Sequence, residues 1–352
     1  MSERVGGAGV GEGPGGLCFT APVPDEDLVT VVIPSFNEEM AISSCLDSIL
    51  SQTHRNLEVL VSDGGSTDRT RDIVAAYHAQ DPRVRVIDNP GRIPPAALNA
   101  AVKEMTSHWL VRVDAHAVVP PDYVARALAH LQTGMWGGVG GRKDGVGYTD
   151  EGRAIAAVMA SAFGVGNSTY HHGTEPQPVD HIPFGTYPKA VIEEVGGWDE
   201  TIPVNQDFEF DYRVRQAGHQ LLFDPELRIA WECRQSLKSF WRQYRRYGRG
   251  KAQVVRLHPE STAVRHLVAP ALVAELGLVA VLATRKPRWA LLFALPYAAG
   301  LAAASAPLAA VMPTRKAKQS VPLAFMAMHL GWGLGFWEGL LGAVAKRGDE
   351  RA

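Results

Sequence analysis

Cysteine is scarce in this chain. Cys18, Cys45 and Cys233 are three in 352 residues, odd in number and far apart. That excludes a disulfide framework and a paired-cysteine zinc site, and it fits a soluble part kept in the reducing cytoplasm. Charge of one sign is not in excess either. Lys and Arg number 35 against 37 Asp and Glu, a net of −2, so no nucleic-acid partner is expected from an overall basic field. The opening stretch "MSERVGGAGVGEGPGG" has no apolar core. No secretory signal is therefore expected there, and residues 1–26 read as a disordered tail. No internal repeat is present, which removes solenoids and propellers.

What the chain does have is apolar sequence concentrated at one end. Residues 1–265 have the composition of a soluble protein, whereas three long apolar blocks follow at 267–283, 289–312 and 321–345, divided by "TRKPR" and "PTRKAKQS". Their lengths match the roughly 17–25 residues that cross a bilayer. Residues 266–345 are therefore expected to hold about three transmembrane helices, with a polar tail at 346–352. The first block is the weakest, being short and carrying Glu275.

The soluble part alternates strand and helix signals. "LVTVVIP" (28–34), "LEVLVSD" (57–63), "RVRVID" (83–88) and "HWLVRVD" (108–114) are β-branched or apolar runs closed by polar residues, hence buried strands. Between them "NEEMAISSCLDSILSQ", "STDRTRDIVAAYHAQ" (behind Ser66 or Asp68 as cap) and "PPAALNAAVKEM" place apolar residues at helical spacing. Strand–helix pairs in series mean a doubly wound, mostly parallel α/β sheet over 27–233. Ligands of such sheets bind at the carboxyl ends of the strands, which here carry "PSFNEE", "SDGGSTD", "DNPGR" and "DAHA". The last of these delivers Asp114 to a strand end with His116 two residues on, a natural place for a cation. Asp122 in "PPDY" is better placed than Asp114 to cap the next helix.

The segments "VVIPSFNEE", "VSDGGSTDRT", "VRVDAHAVVP", "VGGWDETIPVNQDFEFDYRVRQAG" and "RQYRRYGRG" resemble, in order and spacing, glycosyltransferase family 2. Its members are inverting enzymes of GT-A fold, and the likeness is greatest to the branch that builds succinoglycan-type exopolysaccharides. The resemblance covers about 28–255 and, more loosely, the apolar tail. It implies a nucleotide-sugar site at Pro34, Phe36, Asn37 and Glu38, with the Phe36 ring either stacking on uracil or packed in the core. Asp63 matches the first aspartate of the family's Asp-Asp-Gly-Ser turn, although Gly64 stands where the second would be. Asn99 belongs to the same site, Leu98-Asn99 replacing the family's Arg-Asn, and Arg92 either supplies the missing cationic contact or is a solvated loop arginine.

The family's Asp-X-Asp, whose carboxylates hold Mg²⁺ or Mn²⁺ against the donor diphosphate, reads Asp114-Ala115-His116 here. The resemblance thus implies a divalent cation on Asp114, with His116 either a ligand suited to Mn²⁺ or a hydrogen-bond donor to phosphate. Asp207 matches the family's catalytic base, Gln206 replaces the preceding glutamate, and Glu209 and Asp211 are rivals. Trp198 and Asp199 would meet the acceptor sugar, unless Trp198 merely packs its loop. Gln243, Arg245 and Arg246 nearly match the Gln-X-X-Arg-Trp motif of processive synthases, and either arginine would reach the diphosphate of donor or acceptor, or face anionic lipid.

Residues 236–257 place Leu237, Phe240, Trp241, Tyr244, Tyr247, Val254 and Val255 at helical spacing among arginines and lysines. That predicts an amphipathic helix in the membrane interface over 234–265. Arg249, Lys251, Arg256 and Arg265 precede the first block and would keep the catalytic domain cytoplasmic, on a multi-pass protein of the inner or plasma membrane. The expected activity is transfer from a UDP-sugar to a polyprenyl-diphosphate-linked saccharide. A processive polysaccharide synthase and an inactive membrane scaffold are the alternatives. On this division a 1–233 fragment is expected to be soluble.

Overall fold

The computed structural model describes residues 27–342; the tails expected at 1–26 and 346–352, and Cys18, lie outside the described residues. The β-branched runs form β1 (Val29–Ser35), β2 (Leu57–Asp63), β3 (Val84–Asp88) and β4 (Trp109–Arg112). The helical stretches form α1 (Ile42–Leu50), α2 (Thr70–Gln80) and α3 (Pro94–Glu104). The four strands pair in parallel in the order β3-β2-β1-β4. Their side chains are buried by the returning helices, which is why apolar residues run on without alternation.

The second half is not mostly parallel. It comprises β5 (Ala117–Val118), α4 (Tyr123–Leu131), β6 (Gly138–Val146), α5 (Asp150–Met159), α6 (Ala162–Val165) and β7 (Gln177–Val179). Then come β8 (Thr186–Pro188), α7 (Lys189–Glu194), α8 (Gln206–Gln216) and β9 (Leu221–Glu232). β8 is antiparallel to both β4 and β6, β9 is parallel to β6, and β5 and β7 are antiparallel to β9. The sheet is therefore mixed. β5, β7 and β8, of two or three residues, have no period to read, and charged residues and glycines interrupt the apolar pattern of the longer β6 and β9. β6 and β9 shift register at Gly141/Arg142. A Cβ on Gly141 would fall 1.6 Å from the Leu227 carbonyl oxygen, so only glycine lets the two strands close there.

Four α-helices complete the described residues: α9 (Leu237–Leu257), α10 (Val264–Arg285), α11 (Pro287–Ala310) and α12 (Arg315–Leu340). Among the described residues two of them, α10 and α11, are long and apolar enough to cross a membrane, and both are almost wholly unburied. A helix of 22 residues such as α10 reaches about 33 Å. Pro270 inside α10 leaves the His266 carbonyl without its helical partner, and the Trp332 indole donates to that oxygen at 3.5 Å.

The third block does not behave as a third span. It forms α12, whose Val321, Ala324, Phe325 and Met328 join Tyr123, Ile155 and Val158 of the sheet domain in one core cluster, together with Phe240 and Tyr244 of α9. The helix expected in the interface thus lays its apolar face on protein. Of the basic residues expected to keep the catalytic domain cytoplasmic, three make contacts within the chain and one is buried. Arg249 pairs with Glu338 at 2.7 Å, Arg256 donates to the Leu340 carbonyl, Arg265 pairs with Asp180, and Lys251 is buried.

Candidate active site

The loops after β1 and β2 are laced together. Asn37 N–H donates to Ser66 Oγ (2.9 Å), Thr67 N–H to Asn37 Oδ1 (2.8 Å), Glu38 N–H to Thr70 Oγ1 (2.8 Å) and Arg69 N–H to Glu39 Oε2 (3.0 Å). Asp68 accepts from Thr70 N–H one residue before the N-cap Arg69 of α2, a local turn bond rather than a cap. Pro34 is half-buried at the end of β1, while the Phe36 ring is 46 % exposed. Arg92, exposed and at φ 56°, stands with Phe36 against the Gly64–Gly65 turn.

Asp63, at the end of β2, holds the turn that follows it. It is buried and accepts from Gly65 N–H, Ser66 N–H, Ser66 Oγ–H and the Arg71 guanidinium. Three of these donors meet Oδ2 and one meets Oδ1, so Asp63 shapes the turn and keeps acceptor capacity on Oδ1. Asn99 is occupied: its amide clamps Trp198, donating to the carbonyl at 2.8 Å and accepting from the N–H at 2.9 Å. Trp198 itself is buried, stacked on Phe210 at 4.3 Å. Asp199 holds Thr201 N–H. None of these three lines the cavity described below.

The centre is built around Arg112, which sequence reasoning passed over. This guanidinium is 5 % exposed; its Nε donates to Asp114 Oδ1 at 3.0 Å and its Nη1 to Asp207 Oδ1. Its desolvation is outweighed by the two carboxylates, which hold it above the ordinary arginine value. The signal was a charged residue inside a run that otherwise reads as buried, since such a charge must be paired. Lys143 of β6 was also missed. Burial pushes its ammonium down to about 8 against the pull of Asp114 and Asp207, and it lies over the Trp231 ring at 3.6 Å. Phe184, at φ 53°, stands between these two cations, 5.3 Å from Arg112 and 4.9 Å from Lys143.

The three carboxylates on α8 separate cleanly. Asp207 lines the cavity. Glu209 is buried against Arg213 (2.6 Å) and His258 (3.1 Å). Asp211 is buried too, accepting from His181, Ile182 N–H and Tyr187 Oη–H, and burial holds it above the ordinary carboxylate range against those bonds. The paired arginines of α9 separate as well. Arg245 binds Glu338 of α12 at 2.8 Å, whereas Arg246 lines the cavity with its Nε unpartnered. Gln243 lines it also, donating to Tyr247 Oη.

Among the described residues no group of three or more His, Cys, Asp or Glu is assembled to hold a metal ion. Asp114 and His116 nonetheless line one wall with Glu38, whose Oε1 lies 3.3 Å from His116 Nδ1. Two protein donors fit a divalent ion that takes its remaining ligands from a diphosphate. Burial lowers the His116 pKa, but Glu38 and Asp114 more than offset it and leave the imidazole above its ordinary value, so a proton competes with any metal at that nitrogen.

Glu38, Arg112, Asp114, His116, Lys143, Phe184, Asp207, Gln243 and Arg246 open into one cavity of about 1340 Å³, which continues past α9 to Val268, Leu272 and Glu275 of α10; Pro34, Phe36, Asn37 and Arg92 lie outside its lining. The model of "Glycosyl transferase family 2" matches residues 30–189. The succinoglycan biosynthesis protein ExoA of Rhizobium meliloti (strain 1021) is 34% identical over 318 residues, 88% of this chain and 94% of that protein. The chain belongs to glycosyltransferase family 2. As a glycosyltransferase it has a more distant relative in a dolichyl N-acetyl-alpha-D-glucosaminyl phosphate 3-beta-D-2,3-diacetamido-2,3-dideoxy-beta-D-glucuronosyltransferase of Methanococcus voltae, 26% identical over 65% of this chain and 74% of that protein. Its GT-A fold is shared with the mannosyltransferase PcManGT of Pyrobaculum calidifontis, solved with GDP-Man and Mn²⁺. That structure has a TM-score of 0.59 at 20% identity over 90% of this chain and 88% of that one.

Proposed function

We propose that this glycosyltransferase moves a sugar from a UDP-sugar to a lipid-linked saccharide at the cytoplasmic face of a membrane, in exopolysaccharide or cell-envelope synthesis. One observation carries the reading: Asp114 and Asp207 line the same cavity as the apolar helix α10. The succinoglycan role in the name of the R. meliloti relative, the dolichyl phosphate in that of the M. voltae relative, and the GDP-Man and Mn²⁺ of the solved mannosyltransferase support it.

In the proposed reaction the exposed Phe36 ring offers a face to the base, with Arg92 beside it. Asp114 and His116 would hold a divalent ion, which would supply positive charge against the departing diphosphate. Asp207 takes the proton of the acceptor hydroxyl as its oxygen attacks the anomeric carbon. The bond from that carbon to the UDP oxygen breaks with its electrons leaving on UDP, and the configuration inverts. Arg112 keeps Asp207 oriented until the acceptor arrives.

Membranes containing the full chain, a panel of nucleotide sugars, Mn²⁺ and a lipid-linked acceptor provide the test. Asp207→Asn is expected to lose transfer by about a hundred- to ten-thousandfold while still binding UDP. Undiminished transfer in that variant would remove Asp207 as the base. Long products from one primer would favour a processive synthase.

A further inference from the structure

The charged groups around the cavity form two clusters. The first is the Arg112 centre. The second surrounds the Phe208 ring, which meets Lys251 of α9 at 2.8 Å from its centroid, His266 of α10 at 5.3 Å and His181 at 5.7 Å. Lys251 is 2 % exposed, lines the cavity, and has no carboxylate in salt-bridge contact among the described residues. Asp180, the carboxylate that acts on it, is already paired with Arg265. A lysine so placed carries a large desolvation cost without a counter-ion. The lining beside it is apolar, from Val268, Ala269 and Leu272 of α10. A buried amine beside an apolar path suits an anionic amphiphile.

The geometry points to a second anion site in which Lys251, with Arg265 and Arg246, grips the phosphate of a prenyl-type lipid whose chain runs along α10. This rests on the reading of the acceptor as lipid-linked and adds where its head is held. Burial, chiefly, and then Arg265 push the Lys251 ammonium down to about 6 against Asp180, with Arg215 adding to the fall. His181, His266 and Glu275 complete the titratable groups around it. Lys251 is therefore neutral at pH 7.5 in the empty site and gains a proton when a phosphate enters.

The probe is farnesyl diphosphate, titrated by calorimetry into the full chain in detergent without nucleotide sugar. Lys251→Met and Arg265→Gln are each expected to weaken binding about ten- to a hundredfold, and the exposed Lys238→Met to leave it unchanged. Titration in two buffers of different ionisation heat should show proton uptake in the wild type and less in Lys251→Met. Folding is checked by melting. The unfolded chain keeps this proton up to an ordinary 10.5 whereas the folded one sheds it near 6. Lys251→Met should therefore melt higher at pH 7.5, with the gain fading as pH nears 10.

Unchanged affinity in Lys251→Met overturns the site. Farnesol binding as well as farnesyl diphosphate overturns the role of phosphate, and inorganic diphosphate binding as tightly overturns the lipid. If Lys251-dependent binding holds while no lipid-linked saccharide is glycosylated, the proposed function fails and the site stands. If transfer succeeds and binding ignores Lys251, the site alone falls.

Discussion

Asp114 follows β4 and Asp207 opens α8, yet both accept hydrogen bonds from the buried Arg112. Without it two carboxylates would face each other across a poorly solvated cavity, and like charges at such range repel strongly. A lysine cannot replace it, since one ammonium lacks the planar fork that reaches two partners. Arg112→Gln is therefore expected to cost about 3 kcal/mol of stability, the lower end for breaking a buried pair, because both carboxylates keep some contact with water. Transfer should fall by at least about a hundredfold, as two charge-assisted bonds are lost. Mn²⁺ should raise the melting temperature of this variant more than that of the wild type, since it supplies the missing positive charge. Equal shifts in a thermal-denaturation series with and without Mn²⁺ would show that Arg112 is not the counter-ion. Much of this centre was legible: Asp114, His116, Glu38, Arg246 and Asp207 were named from motifs and line one cavity. The motifs also led to Asp63, Asn99 and Trp198, which make internal bonds and stacking. A motif gives the residue type and position, but not how many of its hydrogen bonds the chain has already used.

At the scale of elements, α9 shows what periodicity leaves open. Its apolar positions announce a one-sided helix, but lipid and protein make the same demand on that face. The residue that decides, Glu338, lies on α12 and binds both Arg245 and Arg249. Gly331, Gly335 and Gly339 of α12 let the two backbones approach; a Cβ on Gly335 would stand 2.0 Å from the Arg245 carbonyl oxygen. Main chain cannot swing aside as a side chain can, so Gly335→Val must lift α12 from α9. A loss of at least about 3 kcal/mol is expected, the upper end for overpacking. Transfer should fall with it, because Arg246 and Lys251 on the facing helix line the cavity. Gly277→Ala on α10, where a Cβ meets nothing within 4 Å, should be neutral or slightly stabilising. Thermal melts and transfer assays on the pair check this; a Gly335→Val protein as stable as the wild type would mean the helices need no close approach.

At the scale of the whole molecule, the parallel half of the sheet and the apolar end were readable because unbroken apolar runs mark buried strands and long apolar helices alike. The border between them was not. Composition changes near residue 265, but one hydrophobic cluster joins Tyr123, Ile155 and Val158 to Phe240, Tyr244, Val321 and Phe325. The border at 233 therefore runs through a core. Cutting there would strip α9 and α12 from α5, exposing large apolar side chains that nothing else covers. At about 25 cal/mol per Å², each Phe or Val so uncovered costs about 1.5–3 kcal/mol, and a handful exceeds the roughly 5–15 kcal/mol by which domains are stable. The 1–233 fragment, soluble by composition, is instead expected to aggregate on size exclusion or to bind ANS without a cooperative melt. The full chain should require detergent for a separate reason, the unburied apolar faces of α10 and α11. A monodisperse 1–233 fragment with a sharp thermal transition would show that α9 and α12 are dispensable to the core. Extraction of the full chain by salt alone would show that α10 and α11 do not enter the bilayer.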